Sequence, residues 1–198
     1  AWCGGSPAAT ERLTRGRLES LARAGVDQVA FSLDAPNPAA HDGFRGVDGS
    51  FAKVMAAVGW ARELSLPVQI NTCFAAWNFE HLDAMIGLVR ALGIVFWEVF
   101  FLIPTGRGSE MAGLAPAQFE EAFAKLHALS LEAGFVVKLT EAQHYRRFML
   151  QRPKEARPRM MGASAPAVNA GKGFMFVDFK GEAYPSGFLP VVVGDVDG

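Results

Sequence analysis

The sequence predicts an α/β fold, a partial (β/α) barrel of parallel strands and helices followed by a β-hairpin that starts a second small module. Apolar strand-like segments alternate with amphipathic helical patterns, and the links between them are short, which is typical of right-handed βαβ units. The helical patterns often end at a glycine. After about Gln151, prolines and basic residues replace the apolar periodicity, so the barrel is predicted to end there.

The first elements follow from apolar spacing and from helix signals. Leu13–Ala24 carries a helical apolar pattern that stops at a glycine, and the apolar segment Gln28–Leu33 predicts the strand after it. Ser50 is expected to cap a second helix, because a serine oxygen can accept from the free N–H groups of a first turn. Pro67–Phe74 predicts the next strand. Between the first strand and Ser50, a polar turn is expected.

Later elements repeat the same order. Asn78 is predicted to cap a helix that ends at Gly93. Ile94–Ile103 is nearly continuous in apolar residues, as expected of a parallel strand that is covered on both faces. Pro116 suits the first turn of a further helix. Phe135–Thr140 predicts another short strand.

Three segments are expected along the chain: residues 1–150 form the partial barrel, residues 151–168 a linker, and residues 169–198 the start of an extension. Gly173–Tyr184 reads as a hairpin that turns at Lys180 and Gly181. The chain begins with Ala1 rather than methionine and ends just after an apolar run. We therefore expect an internal fragment of a longer protein.

Composition limits the function classes. The 198 residues are 51% hydrophobic and 20% charged, which suits a globular core, and the net charge of −1 gives no footprint for nucleic acid. No apolar run is long enough to span a bilayer, and no signal peptide is recognisable. The two cysteines, Cys3 and Cys73, form no disulfide framework. These features predict a cytoplasmic protein without a membrane or nucleic-acid partner.

Polar side chains gather near the ends of two neighbouring predicted strands. Because side chains alternate along a strand, Ser32 and Asp34 share one face, and Gln69, Asn71 and Cys73 share a face of the next strand. Such a group at the carboxyl rim of a barrel is a candidate site for a polar small molecule. Bracing of the following turn is the favoured role for Asp34. For Ser32 and Asn71, a binding role and a structural role are equally supported.

Other polar residues allow two interpretations each. Arg45 could hold a ligand carboxylate through paired hydrogen bonds, or could be a solvated loop residue. His41 and Asp42 are expected to be structural. Pro104–Gly108 is a glycine-flanked loop without the ending of a phosphate-binding loop. Glu98 requires a partner if it is buried, and is otherwise a surface charge.

Four ordered segments, VAFSLDAP, HDGFRGVDGSF, LPVQINTCF and FFLIPTGRG, together resemble the radical SAM enzymes with a C-terminal SPASM extension. The similarity is greatest to the branch near the haem-biosynthesis and peptide-modifying members. The later segment NAGKGFMFVDFKGEAYPSGFLP resembles the start of that extension. The resemblance covers the chain from about Leu13 onward.

This resemblance implies a six-unit partial barrel that holds a [4Fe–4S] cluster and S-adenosylmethionine. Reductive cleavage of that cofactor would give a 5′-deoxyadenosyl radical that abstracts hydrogen from a peptide or tetrapyrrole-type substrate. A reductant protein such as a ferredoxin or flavodoxin is implied as a partner. On the matching positions, Ser32 and Arg45 would contact the methionine and ribose part, Asn71 would face the same cavity, and Leu102 and Pro104 would lie near the adenine or the substrate.

The chain lacks the family's CxxxCxxC and Gly-Gly-Glu-Pro motifs. Three thiolates are needed for the cluster, so its ligands are expected outside this chain and the piece alone is expected to be inactive. Two other functions are alternatives to this one. A barrel aldolase or isomerase would require a base or a Schiff-base lysine at a strand end, but Lys53 is in a predicted helix and Lys138 is in a predicted strand without an evident partner. The second alternative is a non-catalytic binding or scaffold domain.

Overall fold

A computed structural model describes residues 2–4, 13–104, 106–153, 175–187, 189 and 191–196. The chain divides into two units, Ala1–Arg159 and Met160–Gly198. The predicted linker lies mostly outside the described residues. In the described part, no helix is long and apolar enough to cross a membrane.

The first unit is built on a five-stranded sheet whose strands follow one another in sequence order and are all parallel. This consecutive order is that of the wall of a (β/α) barrel, and it confirms the predicted α/β class. The strands are β1 (Trp2–Gly4), β2 (Gln28–Ser32), β3 (Val68–Phe74), β4 (Phe96–Phe101) and β5 (Val136–Thr140).

Helices connect the strands, and two short 3₁₀ turns, Phe79–His81 and Gly106–Glu110, follow β3 and β4. The chain turns after two of the helices through glycines with positive φ, Gly25 at +81° and Gly93 at +65°, where the predicted stops lie. The helices are α1 (Arg15–Arg23), α2 (Pro38–Arg45), α3 (Ser50–Glu63), α4 (Leu82–Ala91), α5 (Pro116–Glu132) and α6 (Tyr145–Leu150).

The polar segment after β2 was expected to be a turn, and that prediction is wrong: it forms helix α2. Asn37 caps this helix, since its side chain accepts a hydrogen bond from the N–H of Ala40 at 3.0 Å, and Pro38 occupies the first turn. Gly46 ends it at a φ of +67°. A helix of 8 residues is too short to show a clear apolar period. The cap residues Asn37 and Gly46 are the sequence signal that indicates this helix.

The start of α3 also differs from the prediction. The capping position is Gly49 rather than Ser50, which is the first helical residue. The carboxylate of Asp42 replaces a local cap, because it accepts at 2.7 Å from Gly49 N–H, from Ser50 Oγ and from Phe51 N–H. These bonds lower the pKa of Asp42, the one from Phe51 most. Asp42 thus ties α2 to α3.

One face of the sheet packs against the helices and forms the core. Strand residues on this face alternate with those of the other face, so the core takes every second side chain of each strand. Full burial of one such apolar side chain stabilises the fold by roughly 1.5–3 kcal/mol. The buried strand and helix residues include Val29, Phe31, Ile70, Trp97, Val99, Leu18, Val54, Met85, Phe123 and Leu126.

The second unit contains a small antiparallel sheet of β6 (Phe176–Val177), β7 (Glu182–Tyr184) and β8 (Gly194–Asp195). The β6–β7 pair is the predicted hairpin. Asp178 shapes its turn by accepting from Lys180 N–H at 2.8 Å and Glu182 N–H at 3.0 Å. The predicted hairpin is therefore confirmed over these residues.

Candidate functional site

The sheet face opposite the helices carries a row of polar side chains. Ser32, Asn71, Glu98 and Lys138 are paired in register across β2, β3, β4 and β5, so they lie side by side on one face. We call this the lumen face, made up of the alternate residues Gln28, Ala30, Ser32, Gln69, Asn71, Cys73, Phe96, Glu98, Phe100, Val136, Lys138 and Thr140. The expectation that Ser32 and Asn71 face one interior agrees with this register.

A buried glutamine connects three polar side chains of the lumen face. Gln69 Oε1 accepts from Gln28 Nε2 at 2.8 Å. Gln69 Nε2 donates to Asn71 Oδ1 at 2.7 Å and to Glu98 Oε2 at 3.0 Å. All three strands are thereby linked through side chains as well as through their backbones.

Glu98 is the acidic centre of this face. Its side chain is 13% exposed, and its Oε1 accepts from Lys138 Nζ at 2.6 Å and from Thr140 Oγ1 at 2.8 Å. The interpretation of Glu98 as a surface charge is therefore wrong, and so is the view that Lys138 lacks a partner. Both corrections have the same cause: the pairing of β4 with β5 places Glu98 beside Lys138. The sequence of either strand alone does not show this pairing.

Ser32 and Asn71 retain hydrogen-bonding capacity. Among the described residues, Ser32 Oγ makes no hydrogen bond, and the Asn71 side chain makes only the bond through its Oδ1. Their Cα positions are paired across β2 and β3. A hydroxyl and an amide nitrogen thus lie next to each other near the carboxyl edge of the sheet, where a ligand can accept from both.

Asp34 and Arg45 form an ion pair at the rim just beyond β2. The Asp34 side chain is 2% exposed and that of Arg45 19%. The Asp34 carboxylate also accepts from Cys73 N–H at 2.9 Å, so Asp34 braces the ends of β2 and β3 as predicted. Arg45 is the last residue of α2 and not a solvated loop residue. Asp34 directs its guanidinium, and among the described residues its other N–H groups make no hydrogen bond, so they are available to a ligand.

His41 supports the same rim from α2. It is buried, and its Nδ1 accepts from Asp34 N–H at 3.2 Å, so this nitrogen carries no proton. Burial lowers the pKa of His41; nearby Arg45 also lowers it, while Asp34 and Asp42 oppose the shift. His41 and Asp42 are therefore structural, as the sequence indicated.

Asn78 has a role that the sequence did not reveal. It occupies the capping position of the 3₁₀ turn but makes no capping bond there. Its Oδ1 accepts from Ala75 N–H at 2.9 Å, and its Nδ2 donates to the carbonyl oxygens of Asp34 at 2.8 Å and Cys73 at 3.0 Å. Asn78 therefore joins the loops that leave β2 and β3.

Leu102 and Pro104 follow β4 at the same edge of the sheet. The N–H of Leu102 donates to the carbonyl of Phe74 at 3.0 Å, which extends the pairing of β3 and β4 beyond the strand ends. A Cβ on Gly108 would lie 3.1 Å from Leu102 Cδ1, so a glycine lets the loop fold close to this leucine. Pro104 is exposed. Both residues offer apolar surface at the rim.

The described residues do not form a metal centre. They contain no group of three or more histidine, cysteine or acidic side chains placed to hold a metal ion. Burial, with a smaller contribution from Asp34, raises the pKa of the Cys73 thiol to about 11, so this thiol stays protonated at neutral pH. With two cysteines in the whole sequence, the chain's own residues do not fit an iron–sulfur cluster.

Sequence comparison finds relatives over most of the chain, although no family model matches it. An AdoMet-dependent heme synthase of Methanosarcina barkeri is 35% identical over 190 residues, and one of Nitratidesulfovibrio vulgaris is 31% identical over 192 residues. Both alignments cover 93% of this chain, but 54% and 52% of the relatives. A PqqA peptide cyclase of Methylocella silvestris is 32% identical over 129 residues, 63% of this chain and 35% of that protein.

Solved structures share the fold at low sequence identity. Streptococcus suis SuiB matches with a TM-score of 0.66 and 12% identity, over 92% of this chain and 43% of SuiB. The protein anSMEcpe with bound AdoMet matches with a TM-score of 0.60 and 16% identity, over 93% of this chain and 51% of that protein. The chain thus spans about half the length of the curated relatives and of these structures.

Proposed function

Because this chain is a homologue of the radical SAM enzymes named AdoMet-dependent heme synthase and PqqA peptide cyclase, we propose that it binds S-adenosylmethionine as part of such an enzyme. The observation that carries the proposal is a pair of polar groups, Ser32 Oγ and Asn71 Nδ2, that have no hydrogen-bond partner among the described residues and lie toward the carboxyl edge of the lumen face. They lie where a parallel α/β barrel binds its ligand.

The predicted contacts fit the chemistry of this cofactor. S-adenosylmethionine carries a carboxylate and ribose hydroxyls, which can accept from Ser32, Asn71 and the N–H groups of Arg45 that Asp34 leaves free. Leu102 and Pro104 supply apolar surface for the adenine ring or the substrate.

Bound S-adenosylmethionine supplies, after one-electron reduction, the radical that abstracts hydrogen from the substrate. The role of this chain is to orient the cofactor on the lumen face and to keep it beside the substrate. A peptide or tetrapyrrole-type substrate and a reductant protein of the ferredoxin or flavodoxin type are the partners that we propose, in the cytoplasm. The residues of this chain do not fit a [4Fe–4S] cluster, so the ligands of such a cluster would lie outside this chain.

The test is calorimetric binding of S-adenosylmethionine to the intact protein, together with detection of 5′-deoxyadenosine after anaerobic reduction. Ser32→Ala should weaken cofactor binding on the order of five- to tenfold, because one hydrogen bond is lost, while stability changes little. Ser20→Ala is a matched control, since Ser20 is exposed and, among the described residues, its Oγ bonds only to the Gly16 carbonyl and to Arg23 within α1. An intact protein that binds no S-adenosylmethionine would contradict the proposal.

The aldolase or isomerase alternative gains no support from the geometry. Lys138 lies on the lumen face, but its amine is bonded to Glu98 at 2.6 Å. The structure therefore presents no free amine there for a Schiff base.

A further inference from the structure

We infer that Glu98 sets the direction of the Asn71 side-chain amide through Gln69, so that Asn71 presents N–H groups and not its oxygen to a ligand. Glu98 and Gln69 are then positioning residues, and the ligand group held at Asn71 must be a hydrogen-bond acceptor. The inference rests on the proposed function only for the identity of the ligand, S-adenosylmethionine.

The carboxylate of Glu98 determines which atom of Gln69 is the donor. An ionised carboxylate accepts hydrogen bonds and donates none. Lys138 and Thr140 both donate to Glu98 Oε1, which leaves Oε2 facing Gln69 at 3.0 Å. The Gln69 atom at this contact must therefore be the donor, Nε2.

The donor role of Gln69 Nε2 fixes the orientation of the Asn71 side-chain amide. Gln69 Nε2 is also 2.7 Å from the Asn71 amide, and two amide nitrogens would not bond there, so Asn71 must turn its oxygen to Gln69. The two hydrogens of Gln69 Nε2 are then both used, one by Glu98 and one by Asn71. Gln69 Oε1 is left to accept from Gln28, as the 2.8 Å contact shows. Glu98 therefore determines which group donates and which accepts in each of these hydrogen bonds.

The direction of these hydrogen bonds decides which atom of the Asn71 amide is available to a ligand. With Asn71 Oδ1 held by Gln69, its Nδ2 is free among the described residues, next to Ser32. A carboxylate oxygen of the ligand accepts well from such an amide nitrogen and would be repelled by the amide oxygen, whereas a group that only donates would prefer the oxygen. Glu98 thus selects the ligand group without contacting it.

Glu98→Gln tests this with a change of one atom. Lys138 and Thr140 would keep the new amide oxygen at the Oε1 position, so its NH₂ would replace Oε2 and donate to Gln69. Gln69 would then have to turn its oxygen inward. Asn71 would donate to that oxygen and expose its own oxygen to the ligand, which reverses the chemistry of the site.

Calorimetry with S-adenosylhomocysteine and the intact protein measures the effect on binding. Glu98→Gln should weaken binding at least about tenfold, since one donor is exchanged for a repelling acceptor. Gln69→Leu cuts the connection and should cost only about two- to threefold, because Asn71 can then turn either way. The double variant should bind like Gln69→Leu alone. Glu120→Gln, on the outer helix α5, is the matched control and should bind like the unchanged protein.

A ligand-free measurement keeps this inference separate from the proposed function. Solvent exchange of the Asn71 side-chain NH₂ protons, measured by NMR with ¹⁵N-labelled asparagine, should be fast in the unchanged protein and clearly slower in Glu98→Gln. Equal exchange in the two proteins, or additive losses in the double variant, would overturn the inference. If the unchanged protein binds no S-adenosylmethionine but exchange slows as expected, the proposed function fails and the inference stands.

Discussion

The two faces of the parallel sheet are made from the same strands, but one face carries buried apolar side chains and the other carries hydrogen-bonded polar side chains. In β4, Trp97 and Val99 point into the helix-covered core with 0% exposure, while Glu98 between them lies on the lumen face and binds three polar side chains. One face removes apolar surface from water, and the other holds polar groups in fixed directions.

Side chains on the core face therefore contribute mainly to stability, and polar side chains on the lumen face contribute mainly to ligand recognition. Truncation of a core side chain loses both its burial and its packing contacts. Truncation of a partly exposed polar side chain on the lumen face loses few contacts, but removes a group available to a ligand. Neighbouring positions in one strand should therefore give opposite phenotypes, which makes the comparison testable.

The largest effect is expected on the helix side. Trp97→Ala should lower the free energy of unfolding by about 3–5 kcal/mol, because it empties a fully buried site. It also removes the bond from Trp97 Nε1 to Thr72 Oγ1 at 2.9 Å. Urea unfolding measures this loss. Asn71→Ala on the lumen face should cost less than about 1.5 kcal/mol. Equal losses in the two variants would contradict the contrast between the faces.

A smaller effect is expected at the rim, where the two faces meet. Asp34→Ala leaves the buried N–H of Cys73 without its acceptor and Arg45 without its carboxylate, so unfolding should become easier by about 1–3 kcal/mol. Asp34→Asn keeps an oxygen for Cys73 and should lose less. Urea unfolding of both variants checks the order. An equal loss in the two variants would show that the charge pair, which both variants lose, matters more than the brace to Cys73.

The smallest effect concerns pH and His41. The pKa of His41 in the folded chain is lowered from its usual value of 6.5, so the unfolded chain takes up a proton that the folded chain does not. The free energy of unfolding should therefore fall as pH is lowered from about 7 through 6.5, until the folded-state pKa is reached.

His41→Asn isolates this contribution, because an asparagine oxygen can accept from Asp34 N–H without titrating in this range. The variant should show a shallower fall in stability between about pH 7 and pH 5 than the unchanged protein, measured by urea unfolding at each pH. Identical pH profiles would mean that His41 contributes nothing to the pH dependence.

Much of this arrangement could be predicted from single segments. The strands at Gln28 and Val68, the helix stops at Gly25 and Gly93 and the hairpin after Phe176 all depend on local periods and turn residues, so their positions were predictable. Helix α2 was missed because eight residues carry too little apolar pattern to outweigh the polar and glycine residues among them. The cap of α3 was misplaced because its acceptor, Asp42, comes from another helix.

The sequence by itself determined the α/β class, the shared face of Gln69, Asn71 and Cys73 within one strand, and the resemblance to radical SAM enzymes, because each depends on local spacing or on ordered motifs. Only the tertiary structure decided that Glu98 is held by Lys138 and Thr140, and that Gln69 joins it to Asn71. The physical reason is register: a hydrogen bond between strands depends on which residues lie opposite each other, and nothing within one strand specifies its neighbour's alignment.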